Sequence, residues 1–410
     1  MKPSIFNTII EEKDYLLMFN SLSGALLKLP KESLKKHEKD LYKEGFFVED
    51  DKDELLTYKY IYYKKLFGNN KNLDITIALT TNCNLCCPYC FEKENRNKEY
   101  INQEVTDAII KYITSQKNKN IHITWFGGEP LLCFDRIIEI NEKLTLNEVS
   151  FRASLITNGT LFSDKIIENL HLLKLNNIQI TLDGSRLMHN QKRFFSNGIG
   201  TFDIILSNVT SILEKTNIHL TLKINVDKSN IDSCLEVSNE ITNKYSKYIT
   251  QKQLTITNNS IKNKTDYEGC SQCLSEDEYF DFKTKVLHEK IPLPRMHLAC
   301  PLRFSEHIMI GPDGSIYKCL EHIGNKPKSI GNIKSHHFSI SQMAKLALNN
   351  EPFNDPECSN CSILPICGGG CPIDREIKSS GKEISLCPYL KNNLSTMIKE
   401  ICNKLKKSNI

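Results

Sequence analysis

Residues 74–91 read DITIALTTNCNLCCPYCF. The apolar run Asp74–Leu79 predicts a short strand. Directly after it, Cys83, Cys87 and Cys90 recur at spacings of four and three within one loop. Thiolates so placed can wrap one face of an iron–sulfur cubane, which normally takes four cysteines. Three ligands leave one iron open. Cys86 is a further thiol in the run, but its place inside the tight loop argues against its joining the same cluster. A zinc knuckle is the other reading of closely spaced cysteines; a structural zinc needs a fourth protein ligand, and none is obvious nearby.

Outward from this loop the pattern is an alternation of strands and helices. Strand-like runs recur at His122–Phe126, Ala153–Ile156, Ile178–Leu182, His219–Val226 and Gln253–Thr257. Helical periodicity lies between them, near 103–116, 133–146, 163–174, 202–215 and 229–246. Six strands with five intervening helices predict an α/β fold, a parallel sheet closing a partial (βα)6 TIM-type barrel. Right-handed crossovers place every strand C-terminus on one face, the face that carries chemistry in such barrels.

The flanking segments differ in composition. Residues 1–70 predict a small α+β unit, with strands at Tyr15–Phe19 and Ala25–Leu29 and a charged helix near Lys31–Glu44. Beyond about residue 290, Cys, Gly and Pro become dense and helical periodicity fades. The expected division is therefore 1–70, an N-terminal unit; 73–290, the partial barrel; 291–390, a cysteine-stapled domain; and 391–410, an amphipathic helix. The net charge of +4 over 410 residues is too mild to argue for nucleic acid or an anionic membrane. No run approaches the roughly 18–20 apolar residues of a membrane span, and Met1–Phe6 lacks the order of a secretory signal. A cytoplasmic, reducing location follows as the expectation. There, the sixteen cysteines of a long chain point to metal or redox chemistry rather than disulfides.

The run CNLCCPYCF resembles the cluster-binding motif of the radical S-adenosylmethionine (SAM) superfamily. The resemblance implies a [4Fe-4S] cluster on Cys83, Cys87 and Cys90. Its open iron would chelate the amino and carboxylate groups of SAM, and Tyr89 would meet the adenine through its backbone. Trp125–Pro130 ends the second strand, and its Gly127, Gly128 and Glu129 resemble the GGE motif that contacts the SAM amino group. Two glycines also let a ligand approach the backbone closely. The segment from Ile180 to Phe202 is similar to the sulfatase-maturating and peptide-modifying branches, which implies SAM contacts at Thr181 and Arg193. An Arg fork suits a carboxylate on physical grounds too. By the same likeness, Asn225 in Lys223–Val226 would reach the ribose or carboxylate. No catalytic protein base is assignable.

Further on, Cys300, Cys319, Cys358, Cys361, Cys367, Cys371 and Cys387 follow an order that resembles the SPASM domain, which carries two auxiliary [4Fe-4S] clusters. The resemblance implies an outer cluster on Cys358, Cys361, Cys367 and Cys387, and an inner one on Cys300, Cys319 and Cys371. The inner set is one ligand short: Pro292–Ala299 contains no cysteine. Cys270 or Cys273 would complete it, or the open iron would take a substrate thiolate. Zinc and iron both accept four thiolates, so a zinc-stapled binding protein stays open as a reading of these residues. The resemblance implies a maturase that uses the 5′-deoxyadenosyl radical on a ribosomally made, Cys-containing precursor peptide, forming a thioether or other crosslink. It also implies an external flavodoxin- or ferredoxin-like electron donor. The alternative is an anaerobic sulfatase-maturating enzyme that converts Cys or Ser to formylglycine. Under the precursor-peptide reading residues 1–70 resemble the small winged-helix-like recognition element of peptide maturases, with an edge strand at Tyr15–Phe19 that could bind a leader peptide by strand addition; a lid or dimerisation unit is the other reading of that segment.

Overall fold

The computed structural model describes residues 1–68, 71–90, 92, 98–117, 119–261, 272–286, 292–297, 300–335, 337–349 and 351–407. Contacts divide the chain into two compact units, and the division differs from the four segments expected from composition. One unit gathers Met1–Asn69, Ser275–Phe304 and Ala344–Ile410; the other gathers Asn70–Leu274 and Ser305–Met343. The first holds most of the C-terminal cysteines and is called the cysteine unit; the second is the sheet unit.

In the cysteine unit, β1 (Lys2–Pro3) pairs antiparallel with β5 (Phe47–Val48), while β2 (Asn7–Glu11), β3 (Tyr15–Asn20) and β4 (Leu26–Pro30) form an antiparallel sheet in that order. The expected edge strand at Tyr15–Phe19 is thus the central strand. Its residues are bonded on both sides, Phe19 opposite Thr8 and Leu26, so it has no free edge for strand addition. Sequence reading missed β2, whose Ile9 and Ile10 are embedded among polar neighbours. The charged helix near Lys31–Glu44 is split into a 3-10 segment, Lys31–His37, and a helix, Glu38–Lys43. The unit's core joins distant parts of the chain. Ile10, Leu17 and Phe19 pack with Ile363, Ile366, Leu394, Ile398 and Cys402. Phe6, Tyr58, Tyr62 and Leu66 pack with Phe353 and Leu364.

The sheet unit is built on six parallel strands in sequence order: β6 (Asn72–Ala78), β7 (Asn120–Phe126), β8 (Phe151–Thr157), β9 (Leu175–Leu182), β10 (His219–Val226) and β11 (Leu254–Ser260). The helices between them are amphipathic. Gln103–Ser115 starts at Asn102, whose side chain accepts from Val105 N, and buries Val105, Ile109 and Ile113. The parallel register aligns the strand ends: Ala78 lies opposite Phe126, and Ile224 opposite Leu182. On β10 the two-residue period sets Leu220, Leu222, Ile224 and Val226 in the core and Thr221, Lys223 and Asn225 on the other face. The sheet then continues past β6. Strand β12 (His307–Ile310) runs parallel to β6 on its other edge, and β13 (Ser315–Tyr317), β14 (Gly331–Asn332) and β15 (His337–Phe338) add to it antiparallel. Residues expected to belong to a separate cysteine-rich domain thereby extend the central sheet. No described helix is long and apolar enough to cross a membrane.

Candidate active site

The loop after β6 is pinned at its entrance. Leu79 N donates to Phe126 O at 3.0 Å, Ile101 N to Leu79 O at 2.8 Å, and Thr81 N to Glu99 O at 3.0 Å. Within the loop, Leu85 N donates to Cys83 Sγ at 3.4 Å and Cys90 N to Cys87 O at 3.3 Å. Asn158, just past β8, donates from Nδ2 to Cys83 Sγ at 3.7 Å and to Asn84 Oδ1 at 2.8 Å. Cys87 is buried, Cys83 and Cys90 are half-buried, and the Cys86 side chain is exposed. The Cys86 amide instead donates to Phe194 O at 2.8 Å, beside a bridge from Leu85 to Phe195. The donor set of three half-buried to buried thiols, one already accepting N–H bonds, fits a cluster. Among the described residues no three His, Cys, Asp or Glu side chains gather tightly enough for one metal ion. A cubane asks less, because its ligands sit on separate irons rather than all within about 2.3 Å of one zinc.

The glycines after β7 serve this loop directly. Gly128 N donates to Thr80 O and Glu129 N to Asn82 O, both at 2.9 Å. A Cβ on Gly127, whose φ is +135°, would stand 2.3 Å from Thr80 O; one on Gly128 would stand 2.3 Å from Asn82 O. The close approach that demands glycine is therefore made by the cysteine loop's own backbone. Glu129 is fully buried, and its carboxylate accepts from Thr157 Oγ1 at 2.7 Å, Asn158 N at 2.8 Å and Leu131 N at 3.0 Å. Burial pushes its pKa up to about 7, against the pull of those hydrogen bonds. It ties the end of β7 to the end of β8, and through Asn158 to Cys83.

The end of β9 supplies the charged centre. Asp183 is fully buried. Its Oδ2 accepts from the Tyr89 hydroxyl and, at 2.7 Å, from Arg193 Nε. The Arg193 guanidinium lies 5.8 Å from the centre of the Tyr89 ring. Burial, with Asp183 beside it, raises the Tyr89 pKa well above its usual value and keeps the hydroxyl protonated. His189 stands behind the pair. Its Nδ1 accepts from Asp183 N at 3.3 Å and its Nε2 meets Thr201 Oγ1 at 3.0 Å, while that hydroxyl donates to Arg193 O. Burial lowers its pKa to about 4, so the ring is neutral. Lys223 is depressed by burial and then by Arg193. Among the described residues, Arg193 spends only Nε on a hydrogen bond, leaving its two Nη groups available. Among the described residues, the buried Asp183 Oδ1 also has no partner. A cationic fork and an unused carboxylate oxygen beside a cysteine loop can bind a ligand that carries both a carboxylate and a donor.

In the cysteine unit, Cys358, Cys361, Cys367 and Cys387 lie within electrostatic reach of one another: Cys367 is influenced by Cys387 and Cys361, and Cys358 by Cys367. Two cations are aimed at this set. Arg375 Nη2 donates to Cys358 Sγ at 2.8 Å, and Lys391 Nζ to Cys361 Sγ at 3.0 Å. Cys300 and Cys371 belong to the same unit, whereas Cys319 belongs to the sheet unit. Cys273 is disulfide-bonded, and Cys270 lies outside the described residues.

Residues 77–226 match the family model of the radical SAM superfamily. Those residues form a radical SAM domain, and the chain is an enzyme. It is 24% identical, over 75% of its length and 89% of the relative's, to the cysteine-type anaerobic sulfatase-maturating enzyme of Clostridium novyi. Native anSMEcpe with bound AdoMet and Cp18Cys peptide shares its fold at a TM-score of 0.58 and 21% identity, covering 81% of this chain and 99% of that one. Streptococcus suis SuiB does so at a TM-score of 0.53 and 14% identity, over 90% and 95%.

Within the radical SAM domain the structure brings together Cys83, Cys87, Cys90, Tyr89 and Arg193, and Glu129 braces them from behind. Thr181 is buried two residues before Asp183. Asn225 is half-buried and, by the alternation of its strand, lies on the same face as Lys223. Sequence reading missed Asp183 and Asn158. Both sit in the turns at strand ends, and nothing in a linear sequence pairs Asp183 with Arg193 or Asn158 with Cys83. It also missed Arg375 and Lys391.

Proposed function

We propose that the chain binds a [4Fe-4S] cluster through Cys83, Cys87 and Cys90 and SAM beside it, and matures a peptide or protein at a cysteine-containing site. The observation that carries this is Arg193, a buried guanidinium fixed by Asp183 with its Nη edge unused, next to a loop of three thiols. That edge suits the SAM carboxylate. Cys83, Cys87 and Cys90 would hold the cluster, which would supply the single electron for reductive cleavage of SAM and so the power to abstract hydrogen from the substrate. The protein's own part is orientation. Asp183 aims Arg193, Glu129 and Asn158 hold the cysteine loop, and Tyr89 stays protonated under the guanidinium. Auxiliary clusters on the C-terminal cysteines fit the convergence of Cys358, Cys361, Cys367 and Cys387 in one unit. They would accept the electron left over when the product forms, and an external flavodoxin- or ferredoxin-like donor would supply the first one.

Two substrate readings stand. The first is thioether or other crosslink formation in a precursor peptide, which the SPASM-like order of the C-terminal cysteines allows. The second is conversion of a sulfatase Cys to formylglycine, favoured by the extent of similarity to the Clostridium novyi enzyme. Anaerobically reconstituted enzyme, given SAM and dithionite, separates them by product mass. Crosslinking removes two hydrogens and keeps the sulfur, whereas formylglycine formation loses the sulfur. Failure to make 5′-deoxyadenosine at all would overturn the shared reading.

A further inference from the structure

Arg375 is almost fully buried, 5% exposed, yet it does not form a simple ion pair. Its Nε donates to Gly369 O, its Nη1 sits 3.1 Å from Asp355 Oδ2, and its Nη2 donates to Cys358 Sγ at 2.8 Å. Asp355 is itself tethered, accepting from Glu357 N at 3.0 Å and Cys358 N at 3.4 Å. The guanidinium plane is thus fixed at all three nitrogens, and one of them is committed to sulfur. From the other side, Lys391 Nζ donates to Cys361 Sγ at 3.0 Å and has no carboxylate on it among the described residues. Two of the four thiols therefore each hold a cation, one buried and locked, one exposed.

We propose that Arg375 and Lys391 raise the reduction potential of the cluster held by Cys358, Cys361, Cys367 and Cys387; this rests on the reading of those four cysteines as cluster ligands. Adding one electron makes such a cluster one charge more negative. N–H···S bonds and nearby positive charge favour that reduced form, and hydrogen bonding to sulfur, net charge and exposure are the terms that set cluster potentials. Asp355 offsets part of the Arg375 charge but not its bond to sulfur. Arg375 therefore acts chiefly as a donor held out of water. Lys391 acts chiefly as a charge, and solvent and salt weaken it. Both residues are positioning residues, biasing the cluster toward accepting an electron rather than touching substrate.

The test uses the full chain, with Cys83, Cys87 and Cys90 all changed to Ala to silence the first cluster, reconstituted anaerobically and titrated with EPR detection. The outer-cluster signal is the one lost in Cys361→Ala. Arg375→Met is expected to lower the reduced-to-oxidised ratio at fixed potential by about tenfold, a shift of about 59 mV for one electron. Arg375→Lys should recover part of it. Lys391→Met should shift the ratio the same way by less, and added salt should shrink the difference between it and the parent. Unchanged potentials in both Met variants, at unchanged iron content, would overturn the proposal. If Arg375→Met cannot hold iron, Lys391→Met decides alone, since that side chain is exposed and its loss disturbs no core. If no signal depends on Cys361, the cluster reading itself fails, and the tuning proposal falls with it.

Discussion

At the residue scale, Asp183 has the widest reach. One oxygen holds both the Tyr89 hydroxyl and Arg193, and the other has no partner among the described residues. Asp183→Asn keeps the volume and removes the charge, so Arg193 loses its counterion and its fixed orientation. SAM affinity, measured by equilibrium binding to the reconstituted enzyme, should fall by about tenfold or more, about 1.4 kcal/mol, while iron at the Cys83 loop is retained. The neutral ring of His189 gives a second expectation. Its folded pKa of about 4 lies below the usual value of 6.5. The unfolded chain therefore takes up a proton that the folded chain refuses, and stability falls as pH drops from about 6.5 toward 4. Gln can copy the Nε2 bond to Thr201 without titrating. Thermal midpoints of His189→Gln should therefore fall less steeply than the parent's across that window; equal slopes would contradict the assignment. Residue identity and spacing make Cys83, Cys87 and Cys90 stand out in a linear reading, whereas Arg193 was reached only through the resemblance of its segment. Partnership was hidden, since Asp183 and Asn158 act through side chains that only the sheet brings together.

At the scale of elements, the six parallel strands were legible because β-branched runs and amphipathic helices alternate without interruption. His219–Val226 even has the bounds its periodicity suggests. The strands around them were harder. The four residues of β12 and the three of β13 are too short for periodicity to register. The role of Tyr15–Asn20 depends on a partner strand, β2, whose apolar content is too slight to stand out. The turn after β7 was noted for its glycines, but for a ligand's approach rather than the backbone's. Gly128→Ala tests the distinction. Its Cβ would meet Asn82 O at 2.3 Å and Asn82 C at 2.6 Å, both main-chain atoms that cannot swing away. The Cys83 loop must shift, so iron bound there after anaerobic reconstitution should drop by more than half, with iron at the Cys358 set unchanged. A variant that binds SAM poorly but keeps all its iron would favour the ligand-approach explanation instead.

At the scale of the whole molecule, composition misled about domains, because a Cys-, Gly- and Pro-rich segment looks self-contained. In the structure its 305–343 portion belongs to the sheet unit, and the rest shares a core with residues 1–69. Removing residues 1–69 therefore cannot be a clean deletion of a recognition element. It strips Phe6, Tyr58, Tyr62 and Leu66 from the core that also contains Leu364 and Phe353, and Leu17 and Phe19 from the one containing Ile366. If the Cys358 set holds a cluster as proposed, the truncated chain should lose that iron, and it should bind dyes specific for exposed apolar surface whichever substrate reading holds. Intact C-terminal iron in that truncation would show that the cysteine segment folds alone.

Strand β12 carries a consequence for how the chain is made. Asp74 of β6 bonds alongside His307, and Ile77 alongside Ile310. During synthesis the strand leading into the cysteine loop emerges early, yet one of its edges has no partner until residue 310 has left the ribosome. An unpaired strand edge invites foreign pairing. A nascent chain stalled between residues 260 and 300 should thus depend on chaperones in a way that one released past 345 does not.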